Sequence, residues 1–310
     1  MTTAFIFPGQ GSQHIGMGAE LAAASIHARE VFAEVDEALG QNLFRLMREG
    51  PGEELTLTAN AQPAIMAVSI AVLRVLEREG RLRLSERAAF VAGHSLGEYS
   101  ALCAAGALEL AQTARLLRLR GSAMQAAVPE GAGAMAALLG LDLGPARAVA
   151  AHAAQDEVCE VANDNAPGQV VLSGHTAAIE RAILLAKDFG ARKAVRLAVS
   201  APFHCRLMAP AADAMAAALA DGTMQAPFVP VITNVTAAPV TAPDQISRAL
   251  VEQVTGLVRW RESVEAMADM GVERFVELGA KVLGPMGKRT VPGAQQISLV
   301  RMADIEAWAR

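Results

Sequence analysis

Cysteine is scarce in this 310-residue chain, and the three present, Cys103, Cys159 and Cys205, lie far apart with no CxxC pair. Neither a disulfide framework nor a structural zinc site is indicated by that spacing. The three read as buried thiols, and no metal site or other cofactor is expected. Aromatic residues are also few, with one Tyr and two Trp, so the platforms on which bases stack are scarce. The net charge of -5 comes without a basic cluster, which leaves no electrostatic footprint for nucleic acid. No run approaches the ~20 uninterrupted apolar residues of a membrane span, and no basic segment precedes an apolar signal core. A soluble cytoplasmic protein is expected, with neither membrane nor nucleic acid as partner.

What the chain has in quantity is apolar surface: 53% of residues are hydrophobic and the mean hydropathy is +0.30. That composition excludes disorder and supports a large core, in one large domain or a domain carrying an insertion.

Ala4 to Phe7 reads as a short buried strand running into the loop Pro8-Gly9-Gln10-Gly11-Ser12-Gln13, and Ala88 to Ala92 as a second strand ending at Gly93. Helical stretches lie between them, including Pro63 to Glu79, and another follows over Glu98 to Ala105. Strand alternating with helix predicts an α/β fold with a mainly parallel sheet. From about Gly133 the order changes. Strands over Ala134–Leu139, Val158–Ala162, Gln169–Ser173 and Ala194–Val199, with helices over Pro145–Ala154 and Thr176–Phe189, spell βαββαβ. That is the ferredoxin-like pattern, with Asn163 to Gly168 as its central hairpin turn. The predicted division is a catalytic subdomain of residues 1–130 and 199–310 and an inserted subdomain of residues 131–198. Val229–Ile232 and Arg274–Leu278 are further strands of the larger part.

Gly93-His94-Ser95-Leu96-Gly97 between a strand and a helix has the form of a nucleophile elbow, a sharp turn that presents the serine at the head of a helix. The Leu96 N–H and the helix N-terminus can then stabilise an oxyanion on an attacked carbonyl. The bland alternative is a glycine-rich helix start. A serine needs a base, and there are six histidines: His14, His27, His94, His152, His175 and His204. His27 and His152 fall in helical stretches, and His175 adjoins a turn. His94 is next to the nucleophile but leaves the turn in another direction, and reads as a support for the loop or the pocket. His204 follows a strand, in the kind of loop where α/β sites gather, and follows the serine in chain order as in serine α/β-hydrolases. It is the candidate base, against a buried structural histidine. No acidic residue is placed as its partner, so a dyad with a neutral acceptor and a full triad both stand.

The predicted helix from Leu110 to Ala127 places Thr113, Leu116, Leu117, Arg120, Ala123, Met124 and Ala127 on one face. Arg120 interrupts that apolar stripe, and a guanidinium is expensive to bury alone. Its partner is either an internal carboxylate or the carboxylate of an acidic substrate held by a bidentate pair. Gly9-x-Gly11 fails as a dinucleotide loop, since His14 stands where the third glycine belongs, and no Gly-Lys-Ser/Thr follows to make a phosphate loop. Gln10 reads instead as a donor to the oxyanion, through its backbone N–H or its side-chain amide, or as a solvated turn residue.

Taken together, Pro8 to Gln13, Gly93 to Leu96 with Gly97-Glu98, Arg120-Gly121 with Met124-Gln125, Asn163 to Val170, and Ser200 to Cys205 resemble the malonyl-CoA:acyl carrier protein transacylases. The resemblance runs over nearly the whole chain. It implies an α/β-hydrolase-like large subdomain with an inserted ferredoxin-like one. It also implies ping-pong transfer of malonyl from malonyl-CoA through Ser95 to the phosphopantetheine thiol of acyl carrier protein. His204 would act as base and then acid, the N–H groups of Gln10 and Leu96 as oxyanion hole, and Arg120 as clamp on the malonate carboxylate. Gln253 matches the position whose carbonyl orients the histidine. A Phe at the position of Phe203 goes with malonyl in related polyketide transferase domains, where its ring fills the space of an α-methyl. The chain is one residue shorter than is common between Gly279-Ala280 and Lys281, which bears on that loop, far in sequence from the catalytic residues. A monomer is expected. The leading reading is a malonyl transferase of fatty-acid synthesis, and the transferase of malonate decarboxylase or of a polyketide pathway, which shares the same motifs, is the second. A serine hydrolase and a non-catalytic carrier-binding module are the other readings. Arg120 speaks against the first, and the intact Ser95 and His204 against the second.

Overall fold

Thr3–Phe7 is buried at every position, as befits a strand covered on both faces, where alternation of apolar and polar residues gives way to a continuous apolar run. The computed structural model describes residues 1–221 and 223–309. Its strands in the first half are β1 (Thr3–Phe7), β2 (Ala88–Gly93), β3 (Gly133–Leu139), β4 (Cys159–Ala166) and β5 (Gln169–His175). Those in the second half are β6 (Lys193–Arg196), β7 (Val231–Ile232), β8 (Pro239–Val240), β9 (Arg274–Leu278) and β10 (Gln295–Leu299).

Six strands form one sheet in the order β10-β9-β1-β2-β7-β8. All its pairings are parallel except β7 with β8. Successive side chains of β1 serve opposite faces: Phe5 and Phe7 join one core, Ala4 and Ile6 the other. The other four strands form an antiparallel sheet in the order β4-β5-β3-β6. The helices Leu143–Ala154 and Thr176–Leu185 pack on it around Ala136, Leu138 and Leu172. This is the ferredoxin-like arrangement, in which the first and third strands of βαββαβ lie side by side at the centre. The fold is therefore α/β, with a mainly parallel large sheet and a smaller antiparallel one.

The helix Thr58–Arg78 is the one described segment long and apolar enough by composition to cross a membrane, and 89% of its most apolar window is buried inside the protein. It is a core helix, packed against Leu110–Ala126.

Several boundaries differ from the sequence reading. The Thr176 helix ends at Leu185, and β6 stops at Arg196. Asn163 to Gly168 is not a turn: β4 continues through Ala166, and only Pro167 and Gly168 turn the chain. Asn and Asp favour turns because they bond to their own backbone. Here tertiary partners outbid that preference, since Asp164 pairs with Arg261 at 2.9 Å and Asn165 Oδ1 meets His94 Nε2 at 2.8 Å. β4 accommodates them with irregular register on either side of Asn163 and Asp164.

Candidate active site

Phe7 stands opposite Gly93 in the parallel register of β1 and β2, so the Pro8 to Gln13 loop and the Ser95 turn leave the sheet side by side. They do so at the carboxyl ends of the strands, where open α/β sheets build their sites. The turn is possible only with glycine at both ends. A Cβ on Gly93 would stand 1.9 Å from the backbone of Gly97, and one on Gly97 would stand 2.3 Å from the Phe7 carbonyl oxygen. Between them Ser95 takes a φ of 55°, the strained left-handed backbone of an elbow serine.

Two amides grip that strained residue. Asn234 Oδ1 accepts the Ser95 N–H at 2.7 Å, and Gln253 Nε2 donates to the Ser95 carbonyl at 3.0 Å. Ser95 Oγ lies 2.8 Å from His204 Nε2, and His204 Nδ1 lies 2.8 Å from the carbonyl oxygen of Gln253. A carbonyl only accepts, so the proton sits on Nδ1 and Nε2 is left free to accept from the serine. His204 also has positive φ, 58°. Burial first, and the Arg120 charge second, push the imidazole down to about 3, so it is neutral near pH 7. The histidine's partner is thus a backbone carbonyl, and the arrangement is a dyad.

Arg120 is buried on the inner face of its helix. Its Nη1 donates to Gln62 Oε1 at 2.9 Å, and its Nη2 to Gln253 Oε1 at 2.8 Å and Ser95 Oγ at 3.1 Å. The Tyr99 ring lies 5.7 Å from the guanidinium, and the Glu98 carboxyl is near enough for the two to act on each other electrostatically. Among the described residues no carboxylate pairs with it.

Gln10 turns its side-chain amide to Thr58 Oγ1 at 3.3 Å. Among the described residues neither the Gln10 nor the Leu96 N–H has a protein acceptor. His94 points away from Ser95 to Asn165 and packs edge-on against Trp260 at 5.7 Å. Burial lowers its pKa, so it is a neutral strut between the elbow and β4.

A cavity of about 400 Å³ opens on Ser95, His204 and Arg120, with Phe203 in its wall. It runs between the two sheets and is bordered by Gln10, His94, Met135 and Asn163. Val282, Leu283 and Met286 also line it, so the segment after Gly279, far away in sequence, borders the site in space. Glu277 fixes that wall by accepting the N–H groups of Val282, Leu283 and Gly284 at 2.8 to 3.0 Å.

Sequence reasoning assigned no role to Gln62, Glu98 or Asn234. Glu98 stood in the quoted elbow motif. Gln62 and Asn234 carried no local signal, since a buried amide is recognisable only from the partners that surround it.

The sequence profile of the acyl transferase domain matches residues 4–302. The Escherichia coli K12 malonyl CoA-acyl carrier protein transacylase is 48% identical over 289 residues, covering 93% of this chain and 92% of that protein. The chain belongs to the malonyl-CoA:acyl carrier protein transacylase family. The crystal structure of an acyl-carrier-protein-S-malonyltransferase from Bartonella henselae superposes with a TM-score of 0.97 at 51% identity, over 99% of this chain and 98% of that one. A malonyl-transacylase solved with a type II polyketide synthase acyl-carrier protein is 41% identical, with a TM-score of 0.95 over 99% of this chain and 98% of that one. The two-sheet architecture is thus that of the transacylase family as a whole.

Proposed function

We propose that the chain transfers malonyl from malonyl-CoA to the phosphopantetheine thiol of an acyl carrier protein, through a malonyl ester on Ser95. In the first half-reaction Ser95 Oγ attacks the thioester carbonyl while His204 Nε2 takes its proton. The oxyanion is held by the Gln10 and Leu96 N–H groups. Collapse of the intermediate breaks the C–S bond, and His204 returns the proton to the departing coenzyme A thiol. The carrier thiol then gives its proton to His204 and attacks the ester, and Ser95 leaves with that proton.

The observation that carries this reading is Arg120, a buried guanidinium that forms no salt bridge among the described residues and whose Nη2 lies 3.1 Å from the nucleophile. It fits an acyl group that brings its own carboxylate, and disfavours a generic esterase. Phe203 borders the space beside the acyl carbon and limits it to malonyl. Gln253 orients His204, and His94 supports the loop.

We read the chain as a catalytic subdomain, residues 1–130 with 199–310, and an inserted one, residues 131–198, meeting at the cavity. The protein acts as a cytoplasmic monomer in supplying fatty-acid synthesis. The likeness to a transacylase bound to a polyketide carrier favours a polyketide carrier as the second destination.

The test is intact-mass measurement after malonyl-CoA is added, before and after addition of holo acyl carrier protein. The expected result is a malonyl adduct on Ser95 that moves to the carrier and is absent in Ser95→Ala. An adduct that goes to water with the carrier present would make the protein a hydrolase. Comparing a fatty-acid carrier with a polyketide carrier separates the two destinations.

A further inference from the structure

We propose that Glu98 is a positioning residue that fixes the orientation of the Gln253 amide, and through it the aim of Arg120 at the acyl group. The proposal rests on the malonyl-transfer reading above.

Donor and acceptor accounting leads to it. An amide NH2 has two protons to give. The Nε2 of Gln253 lies 2.7 Å from Glu98 Oε2 and 3.0 Å from the Ser95 carbonyl oxygen, with Asn234 Oδ1 a longer contact at 3.3 Å. Those neighbours are all acceptors, so both protons are committed on that side. Oε1 is thereby turned to the other side, where it accepts from Arg120 Nη2 at 2.8 Å. A guanidinium has donors only. If the amide turned over, its NH2 would oppose Nη2 in a site where Gln253 and Arg120 are both buried. An unmatched donor there is costly, and Arg120 would be displaced from its present aim.

Glu98 supplies the acceptor that makes the flipped amide unfavourable. It sits in the first turn of the elbow helix with no exposure. The same Oε2 also accepts the Asn234 N–H at 3.0 Å. The Asn234 side chain in turn holds the Ser95 N–H at 2.7 Å and the Gly93 carbonyl at 2.7 Å. One carboxylate oxygen therefore orders both amides that hold the elbow. The other, Oε1, has no hydrogen-bond partner among the described residues, and burial pushes the carboxyl up to about 7, so an acid so placed is expensive to keep. An aliphatic residue would fill the space at lower cost. The acceptor at Oε2 is what it would lose.

Three substitutions in the full chain separate orientation from bulk and charge. Glu98→Met removes the acceptor at similar length, Glu98→Asp keeps the carboxyl but withdraws the acceptor by one methylene, and Glu98→Gln keeps an acceptor oxygen. The readout is the ratio of kcat/KM for loading from malonyl-CoA to that from acetyl-CoA. Measured within each preparation, it does not depend on the folded fraction. The ratio should fall about tenfold or more in Glu98→Met and Glu98→Asp, the scale of one hydrogen bond to a charged group. In Glu98→Gln it should stay within about threefold of the native value, because the acceptor survives. An unchanged ratio in Glu98→Met and Glu98→Asp, with both substrates slowed alike, overturns the proposal and leaves Glu98 as a support of the elbow only. A ratio lost equally in Glu98→Gln assigns the effect to the carboxyl group and not to an acceptor oxygen at that place, and overturns it as well. Native protein that does not prefer malonyl would instead sink the malonyl reading itself.

Discussion

Arg120 Nη2 lies 3.1 Å from Ser95 Oγ, so the residue that would recognise the acyl group and the atom that attacks it touch before any substrate arrives. On the proposed reading, a malonyl group whose carboxylate meets the guanidinium would have its thioester carbonyl brought to the nucleophile. Little further motion is then needed to reach an attacking geometry.

Replacing Arg120 should therefore separate two substrates that differ by one carboxylate. In Arg120→Gln, loading from malonyl-CoA should fall about 100-fold, the scale of a bidentate charged contact, while acetyl loading is kept or rises. Rapid-quench intact mass with each thioester checks this. An equal fall with both would show that Arg120 serves the fold and not the carboxylate.

The depressed pKa of His204 makes a prediction about pH. The neutral imidazole is the active form, and its low pKa keeps it neutral in acid. kcat/KM for acetyl loading should therefore stay level from about pH 8 down to about pH 5, through the ordinary histidine range near 6.5. Arg120 contributes to the depression because a nearby cation disfavours the imidazolium. Its removal in Arg120→Gln should raise the His204 pKa and move the acid limb upward. A limb at the same pH in both proteins would sink the assigned cause.

Phe203 is 8% exposed and borders the cavity. Phe203→Ala should open room for an α-methyl and raise methylmalonyl relative to malonyl loading by about tenfold, the scale of one or two methylenes in an apolar pocket. Competition between the two thioesters, read by mass, is the measurement, and an unchanged product ratio would place the selectivity elsewhere.

Gly97→Ala should destabilise the protein by more than about 3 kcal/mol, since its Cβ would meet backbone that has no side chain to yield. The Cβ position is 2.3 Å from the Phe7 carbonyl oxygen. Denaturant unfolding with and without the substitution tests this. A loss below about 1 kcal/mol would mean that β1 and the elbow can part at little cost.

The elements readable from sequence were those whose pattern is local. Ala4–Phe7 is an apolar run that matches a two-sided strand, Arg274–Leu278 is a short strand built around Phe275, Val276 and Leu278, and the βαββαβ order emerged from periodicity alone. β10, Gln295–Leu299, was not read, because an edge strand with partly exposed residues carries no continuous apolar run. Asn163 to Ala166 was read as a turn because its residue types prefer one, and only Arg261 and His94, distant in sequence, reveal why it is a strand.

The sequence by itself determined that a serine stands in a strained turn, that a histidine follows a strand, and that one arginine lies on an apolar helical face. These are matters of spacing and residue type within a few turns of chain. The tertiary structure decided how they meet. The His204 partner is a backbone carbonyl, Arg120 donates to amides, and Glu98, Asn234 and Gln253 share hydrogen bonds behind the nucleophile. The physical reason is that burial makes it costly to leave a polar group unpaired, and which partner a buried group finds depends on segments that meet only after the chain has folded.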